Sequence, residues 1–455
     1  MHSEDPTKSS PEFQAEFERI LESAVASGSE ADFSGFIFPK SNYAERTFAP
    51  ECWFFDAVFL EEASFDRTAF HGKVEFVNCS FQRRADFSSA EFRDAGDFSA
   101  SGFAEEVDFT WAKFRSEVSF LNTYFHEKAI FYQCSFEQLA DFWHAYFFGI
   151  AMFEEAHVKG PLRFQETYFR RALAGAPCLR FSEVELEDPK RVLFYKTDLT
   201  HALFYNTDVS EVAFSLVVWG GRNRQLPGIA GRVFPWAPRL WPEHARLFEE
   251  EVDTGTHAEY ELGPSAKNPD ERNYGLIAEV YQQLKRNYDA KGDYLTAGQW
   301  HYGEMEMKRL HSRWRWRPLR WLGQHLSLAA LYKYASSYGE SYVLPLIWLG
   351  VVLAAFGALY PVVGLELTQT GGGGVLTYSN WARFFRTHPM EHPAGWWGML
   401  LHSLMTSLSV AGFQRELRYA PLYPWGRLLA LAELLLTTTL AGLFALAIRR
   451  QFKRS

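Results

Sequence analysis

Residue types that commonly perform chemistry form no recognisable catalytic motif in this chain of 455 residues. There are four cysteines, none close to another in a zinc or redox spacing: Cys52, Cys79, Cys134 and Cys178. The glycine run at 371–374 lacks the lysine and Ser/Thr that follow in a phosphate-binding loop. The sequence therefore predicts no enzyme activity and no cofactor.

One cluster has residue types that could bind a metal ion. His301, Glu304 and Glu306 lie close together in a segment with helical periodicity. Charged residues on a helix are more often a solvated face than a ligand set. We therefore predict a solvated helix face here and no metal.

Phenylalanine is the most informative residue, with 41 copies in the chain. Two interleaved series each repeat at a constant interval, so that centres alternate five and six positions apart. The first series is Phe54, Phe65, Phe76, Phe87, Phe98, Phe109, Phe120, Phe131, Phe142, Phe153 and Phe164. The second is Phe48, Phe59, Phe70, Phe81, Phe92, Phe103, Phe114, Phe125, Phe136, Phe147, Val158 and Phe169. This spacing fits neither an α-helix nor a long strand, and it predicts a solenoid with coils of about 22 residues.

Small or β-branched residues stand two positions before most centres, as in "ADFSS" at Ala85 and "ADFWH" at Ala140. The pattern resembles the pentapeptide-repeat family. That resemblance implies a right-handed quadrilateral β-helix with both positions facing inward. Steps of five return from Phe194 to Phe214, whereas 171–190 breaks the period and is expected to form a loop. Residues 11–26 have helical spacing and are expected to cap the first coil.

The expected role of the β-helix is that of a scaffold or spacer, with an unknown cytoplasmic protein partner possible. Some acidic members of the family imitate DNA, but basic residues such as Arg83, Arg84 and Arg115 interrupt the acidic surface here. DNA mimicry is therefore the weaker interpretation, and no nucleic-acid partner is predicted.

We divide the chain into a capping helix (1–30), the β-helix (31–218), an irregular linker (219–270), a cytoplasmic helical hairpin with an interfacial helix (271–335), and a two-helix membrane domain (336–455). Within the fourth part, apolar residues at helical spacing predict two helices on either side of Gly292. The segment "YQQLKRNYDAKGDYLTAGQWHYGEMEMKRL" resembles the region that precedes the membrane helices in pentapeptide-repeat membrane proteins.

Two apolar runs near the end of the chain, 342–364 and 428–448, are long enough to span a bilayer. Basic residues precede the first run and follow the second, which by the positive-inside rule predicts a multi-pass protein of the cell (inner) membrane with both termini cytoplasmic. Between them, "WWGMLLHSLMTSLSVAGF" is too short to cross and suits a re-entrant helix. The fold class is therefore mixed: a β-helix, a helical hairpin and an α-helical pore domain.

The order of these three apolar segments resembles the two-transmembrane ion-channel family, which includes the potassium channels. The resemblance implies a selectivity filter in "TSLSVAGF", formed by Thr406, Ser407, Ser409, Val410, Ala411, Gly412 and Phe413. The second glycine and the aspartate of the potassium-channel motif are absent, and Arg415 and Arg418 follow. A non-selective or anion-favouring pore is therefore an alternative to a potassium-selective one.

Three residues of the second run are pore or gate candidates. Glu433 either lines the pore or forms hydrogen bonds behind the re-entrant helix, Thr437 either lines a wet path or packs, and Gly442 is either a hinge or a small contact. Two helices cannot enclose a pore, so the resemblance implies a homotetramer that contacts membrane lipid and a permeating ion. The alternative function is a membrane-tethered interaction scaffold that does not conduct.

Overall fold

The structure is a computed structural model that describes residues 10–170, 176–221, 244–251, 273–311, 323–367, 375–387, 396–412 and 419–453. The chain divides into two compact units. The described residues of the first unit run from 10 to 221 and from 244 to 311, and those of the second from 323 to 453.

Residues 31–215 form a β-solenoid of about eight turns, built from four parallel sheets of very short strands. Sheet 1 contains Ala31–Asp32, Cys52–Trp53, Val74–Glu75, Gly96–Asp97, Val118–Ser119, Ala140–Asp141, Leu162–Gln165, Val192–Tyr195 and Ala213–Ser215. Sheet 2 contains Ile37–Phe38, Val58–Phe59, Ser80–Phe81, Gly102–Phe103, Tyr124–Phe125, Tyr146–Phe147 and Tyr168–Phe169. Sheet 3 contains Ser41–Asn42, Ala63–Ser64, Ala85–Asp86, Val107–Asp108, Ala129–Ile130, Ala151–Met152, Leu179–Arg180 and Ala202–Leu203. Sheet 4 contains Thr47–Phe48, Ala69–Phe70, Glu91–Phe92, Lys113–Phe114, Ser135–Phe136, His157–Val158 and Glu185–Leu186.

Through the middle of the solenoid the coil has the predicted length. Asn78 lies one coil after Asp56, 22 positions along the chain, and donates a side-chain hydrogen bond to it. In sheet 1, Val74 pairs with Gly96, and Gly96 pairs with Val118. All strand pairs within the four sheets are parallel, because each coil places the same part of the repeat above its predecessor. The repeat is therefore consistent with the pentapeptide-repeat pattern.

The Phe series form the core as columns of stacked rings. Phe59 and Phe81, one coil apart, have ring centroids 4.5 Å apart and an interplanar angle of 2°. Rings of different columns meet edge to face, as Phe65 and Phe76 do at 5.5 Å and 73°. Both arrangements are favourable for aromatic pairs. Rings one coil apart are separated by about the distance between neighbouring strands, because the coils stack in parallel.

The five-residue steps turn through a residue in the left-handed region, which lies two positions after each centre of the first series. Asp56, Arg67 and Asn78 have φ of 57°, 54° and 56°, and the pattern continues along the solenoid. The aspartate before several centres closes this turn: Asp86 Oδ1 accepts a hydrogen bond from Ser88 N at 2.9 Å, and Asp141 Oδ1 accepts one from Trp143 N at 3.0 Å. The Asp of the repeat thus has a structural role.

Several polar residues at the inward position before a centre form hydrogen bonds within the core. Thr68 Oγ1 donates to Tyr43 O at 2.8 Å, and Thr123 Oγ1 donates to Phe98 O at 2.9 Å. In each pair the acceptor is the carbonyl of the aromatic centre 25 residues earlier. This regularity explains why the repeat tolerates threonine, serine or cysteine there in place of alanine.

The prediction of a loop over 171–190 was wrong for its second half. Leu179–Arg180 and Glu185–Leu186 are strands of sheets 3 and 4, and Phe181 is a buried core centre. The coil lengthens here, since Leu162 pairs with Val192, and Glu166 binds the side chain of Lys196, which is 30 residues later. The interruption is therefore an insertion into one coil, and residues 171–175 lie outside the described residues.

Both ends of the solenoid are covered by helices. Helix α1, Ser10–Ser27, packs Phe17 against Phe33 and Tyr43 with ring centroids 4.5 and 4.7 Å apart. At the other end, the hairpin of α2, Tyr274–Ala290, and α3, Tyr294–Leu310, closes the last coil. The coverage shields the open edges of the first and last coils.

The hairpin is attached by side chains of α2 that replace a missing further coil. Asn287 Nδ2 donates to the carbonyls of Val209 and Val212, at 2.9 and 2.7 Å. Gln283 Oε1 accepts from the amide of Val209 at 2.9 Å. The sequence predicted the hairpin but assigned it to a separate part of the chain, whereas it shares one core with the solenoid.

The second unit is helical, with a small antiparallel sheet. Its helices are α4, Leu328–Ser336; α5, Val343–Val363; α6, Trp381–Thr387; α7, Trp396–Val410; and α8, Trp425–Lys453. Its strands are Leu365–Leu367, Val375–Leu376 and Tyr419–Pro421, with the first of these in the centre. Helices α5, α7 and α8 pack against one another.

Candidate functional site

Helices α5 and α8 are long and apolar enough to cross a membrane. Within their most apolar windows only 17% of α5 and 22% of α8 is buried in the chain. A core helix of a soluble protein would be mostly buried, whereas these two helices leave most of their apolar surface exposed. Leucines Leu431, Leu435 and Leu436 of α8 are 54%, 62% and 48% exposed.

Helix α7 has 15 residues and therefore a length of about 22 Å at 1.5 Å per residue. That length is shorter than the hydrocarbon core of a bilayer, which is about 30 Å thick. Apart from Met399, its buried residues are polar or small: Gly398, His402, Ser403, Thr406 and Ser407. A short helix with a polar buried face packs on both longer helices.

Glu433 of α8 joins the three helices. Its side chain is completely buried, and its two oxygens accept hydrogen bonds from Tyr360 Oη of α5 and Ser407 Oγ of α7. Ser407 Oγ also lies 3.0 Å from Leu353 O of α5. A buried carboxylate is costly unless it is hydrogen-bonded, and here both oxygens have a donor. Glu433 therefore fixes α7 against both long helices.

Helices α5 and α7 also make a close backbone contact, one helical turn before Ser407. Ser403 Oγ donates to the carbonyl of Gly357, and a Cβ on Gly357 would lie 3.3 Å from the Cα of Leu404. Gly357 thus allows α5 and α7 to approach closely. Tyr360, Ser403 and Gly357 were not predicted from the sequence; the polar Tyr360 within an apolar run was the available signal.

The predicted filter residues lie at the end of α7. Thr406, Ser407, Ser409 and Val410 are helical, and Ala411 and Gly412 form the turn that follows. The amides of Ala411 and Gly412 donate to the carbonyls of Ser407 and Ser409, at 2.9 and 3.1 Å. Phe413 lies outside the described residues, as do Arg415 and Arg418. The helical residues therefore present no extended row of carbonyls, and their role in selectivity stays a prediction.

The three pore or gate candidates occupy different surroundings. Of the alternatives for Glu433, its contacts match hydrogen bonding to α7, the helix that the sequence predicts to be re-entrant. Thr437 is buried and its Oγ1 donates to Glu433 O at 2.9 Å. Gly442 is exposed in the single chain, and a Cβ at this position would have no described atom within 4 Å. Gly442 is thus the one of the three that another subunit or lipid could contact directly.

The expectation of a solvated face at Glu304 and Glu306 was wrong, because both side chains are buried on α3. Glu306 pairs with Arg309, one turn later. Glu304 accepts from Lys308 Nζ at 2.5 Å and from Lys285 Nζ at 3.3 Å, and it lies 3.5 Å from His301 Nδ1. Among the residues that the structure describes, no group of His, Cys, Asp and Glu could hold a metal ion.

Glu304 is expected to stabilise the hairpin above acidic pH. Burial alone would raise its pKa, but hydrogen bonds from His301 and Lys308 and the charge of Lys285 lower the pKa to about 2. A carboxyl pKa below the ordinary value of 4.5 stabilises the fold above that pH, and the stabilisation is lost between about pH 4.5 and 2. We expect Glu304→Gln to lower the free energy of unfolding by about 2 kcal/mol at pH 7. This loss is smaller than the whole pKa shift would give, because solvent around the half-exposed Lys308 screens its charge.

Thermal unfolding of the full chain in detergent, followed by circular dichroism, measures this effect. The melting temperatures of wild type and Glu304→Gln are expected to differ at pH 7 and to converge near pH 2.5. The exposed pair of Glu16 and Arg19 provides a control, since Glu16→Gln is expected to change little. A difference that stays constant down to pH 2.5 would show that the charge of Glu304 is not responsible.

Comparison with protein-family models, with curated proteins and with solved structures gave no significant match. Inferences about function therefore rest on the residues and geometry of this chain.

Proposed function

We propose that this chain is the subunit of an oligomeric, pore-forming ion channel of the cell membrane, with a cytoplasmic pentapeptide-repeat domain that regulates or supports it. We further propose that the repeat domain is a right-handed quadrilateral β-helix. Helices α5 and α8 would span the bilayer with both termini in the cytosol, and α7 would be the re-entrant helix.

The observation that carries the proposal is the hydrogen bonding of Glu433 to Tyr360 of α5 and Ser407 of α7. An apolar helix too short to span must end at membrane depth, where its unpaired backbone groups need protein or water. A buried carboxylate that holds such a helix between two spanning helices supports a re-entrant arrangement. Simple anchoring in a bilayer requires none of these polar contacts.

An oligomer is part of the proposal. One pair of spanning helices cannot enclose a water-filled path, and α8 has exposed leucines along with the exposed Gly442. We propose a homotetramer, in which α8 faces the neighbouring subunits and α5 faces lipid. The permeating ion is left open between cation and anion, because the filter sequence departs from the potassium-channel pattern.

The alternative is a membrane-tethered scaffold that does not conduct. The hydrogen bonds from Ala411 and Gly412 to the carbonyls of Ser407 and Ser409 favour it, since those carbonyls already have a partner. Carbonyls that coordinate an ion would have to face the pore in place of forming such a turn.

Ion flux from liposomes that contain the purified protein tests the two functions. The channel predicts release of K⁺ or Cl⁻ that depends on the protein, and that changes when a charge is introduced by Gly412→Asp at the end of α7. A Gly442→Asp variant places the same charge on the exposed face of α8, and its ion flux is compared with that of Gly412→Asp. The absence of flux in vesicles shown by cross-linking to hold assembled oligomers would favour the scaffold.

A further inference from the structure

A short segment in the first unit connects three elements at the end of the solenoid. We call residues His244–Glu251 the clamp segment. Its backbone pairs with the strand after the last coil, where Gly220 pairs with Arg246 and Gly221 with Ala245. The sequence predicted an irregular linker over 219–270, so neither this pairing nor the side-chain contacts of the segment were expected.

Side chains of the clamp segment contact both the solenoid and the hairpin. On the solenoid side, Glu249 Oε1 accepts a hydrogen bond from Phe204 N at 2.6 Å, and the ring of Phe248 lies 4.9 Å from that of His201. On the hairpin side, Tyr281 Oη of α2 accepts from Leu247 N at 3.0 Å and donates to Glu250. The segment therefore contributes to holding α2 against the last coils.

Glu249 is the unusual group in this arrangement. Its side chain is completely buried, and its second oxygen, Oε2, has no hydrogen-bond partner among the residues that the structure describes. An ionised carboxylate with one unsatisfied oxygen is costly in such a site, whereas a neutral carboxyl is much less so. The titratable and charged groups of the clamp segment and of the elements that it contacts are Glu250, Glu251, Arg246 and His244, with His201 of the solenoid, Tyr281 of α2 and Tyr302 of α3.

We propose that the clamp segment is a proton-operated latch, which holds the end of the β-solenoid to the helical hairpin while Glu249 is neutral and loosens when Glu249 ionises. Acidification of the compartment that contains the solenoid thus tightens the latch. This proposal goes beyond the proposed function and does not depend on it, because every residue involved belongs to the first unit.

The pH range of the latch follows from the burial of the carboxyl. Burial, reinforced by the neighbouring Glu250, raises the pKa of Glu249 from 4.5 to about 7. The closed latch is therefore most stable below pH 4.5, loses stability as the pH rises to about 7, and changes little above that. Because opening releases one proton, the equilibrium constant for opening of the latch increases by at most about tenfold per pH unit inside that range.

Hydrogen exchange of the full-length protein in detergent, measured by mass spectrometry from pH 5 to 8, tests the latch. Protection of peptides from the clamp segment, corrected for intrinsic exchange, is expected to fall about 40-fold between pH 5 and 7 and then to level off. In Glu249→Gln, which is neutral at every pH, protection is expected to be constant within about threefold. In Glu251→Gln, a partly exposed neighbour, the wild-type profile should remain.

Two results would overturn the proposal. One is a wild-type profile without pH dependence, and the other is an unchanged slope in Glu249→Gln, which would assign the proton to another group. His201→Asn and His244→Asn are each expected to keep the slope, and its loss in either contradicts the role of Glu249. These two variants decide the question even where Glu249→Gln does not fold.

Discussion

Replacement of Gly149 by alanine is expected to lower the free energy of unfolding of the solenoid by about 3 kcal/mol. Gly149 lies in a six-residue corner, directly over Glu127 of the preceding coil. An alanine Cβ would lie 2.1 Å from the carbonyl oxygen of Glu127 and 2.3 Å from its carbonyl carbon. These are backbone atoms of a hydrogen-bonded coil, so the two coils must separate locally to admit the methyl group.

Gly96→Ala is the matched control, with an expected effect of opposite sign. Gly96 is at the inward position before Phe98, where alanine is frequent in other repeats, and its Cβ would meet Phe92, Phe98 and Val118 at 3.5–3.8 Å. Ordinary packing and a lower entropy of the unfolded chain should stabilise the fold by about 0.5 kcal/mol. Urea unfolding of the full chain, monitored by far-UV circular dichroism, measures both; equal stability of the two variants would contradict the stacking of the coils.

Loss of Glu433 is expected to have the largest effect on the second unit. Glu433→Ala leaves the buried hydroxyl of Tyr360 without its acceptor and leaves Ser407 only the carbonyl of Leu353, which costs about 2 kcal/mol. We expect α7 to be released from α5 and α8, and ion flux per assembled protein to fall by at least about tenfold, since about 1.4 kcal/mol corresponds to a factor of ten. Glu433→Gln retains an acceptor and should be intermediate.

Thr439→Ala is the control for Glu433→Ala. Thr439 is on the same helix but exposed, and its hydroxyl donates only to the backbone carbonyl of Leu435 at 2.7 Å among its described contacts. The Thr439→Ala variant is expected to conduct ions as the wild-type protein does. Liposome flux and size-exclusion chromatography, measured on the same preparations, separate loss of conduction from loss of assembly. Wild-type flux in Glu433→Ala would show that the hydrogen bonds of Glu433 do not maintain the conducting form.

The solenoid could be predicted from the sequence because its core is one-dimensional. An inward residue repeats at a fixed interval, so Phe54 and Phe76 must stack if one coil separates them, and their centroids are 4.6 Å apart. The later centres Phe194 and Phe204 are buried as expected. Local periodicity is sufficient where each coil contacts only its neighbours.

Contacts between distant segments leave no periodic pattern in the sequence. Asn287 binds the carbonyls of Val209 and Val212, 78 and 75 residues earlier, and a single polar residue on a helix does not reveal its partner. The loop predicted over 171–190 was too long, since Phe181 re-enters the core after a changed interval. Likewise, burial of Glu304 depends on Lys285 of the neighbouring helix, which the periodicity of α3 cannot show.

Part of the candidate site could be predicted from the sequence. An ionisable residue within an apolar run is costly, so Glu433 could be singled out, and a choice between two roles was left open. The partners Tyr360 and Ser407 lie 73 and 26 residues away and became visible only when the helices were packed. The conformation that a filter adopts depends on neighbouring subunits as well as on its own residues, which a single sequence does not specify.

Single-channel recording from purified wild-type protein in a planar bilayer with asymmetric KCl tests the proposed channel most directly. We expect discrete unitary currents whose amplitude changes in Gly412→Asp, with a reversal potential that assigns a preference for cations or anions. Silence of the assembled wild-type protein at every voltage and membrane tension applied would contradict the channel and leave the membrane-tethered scaffold.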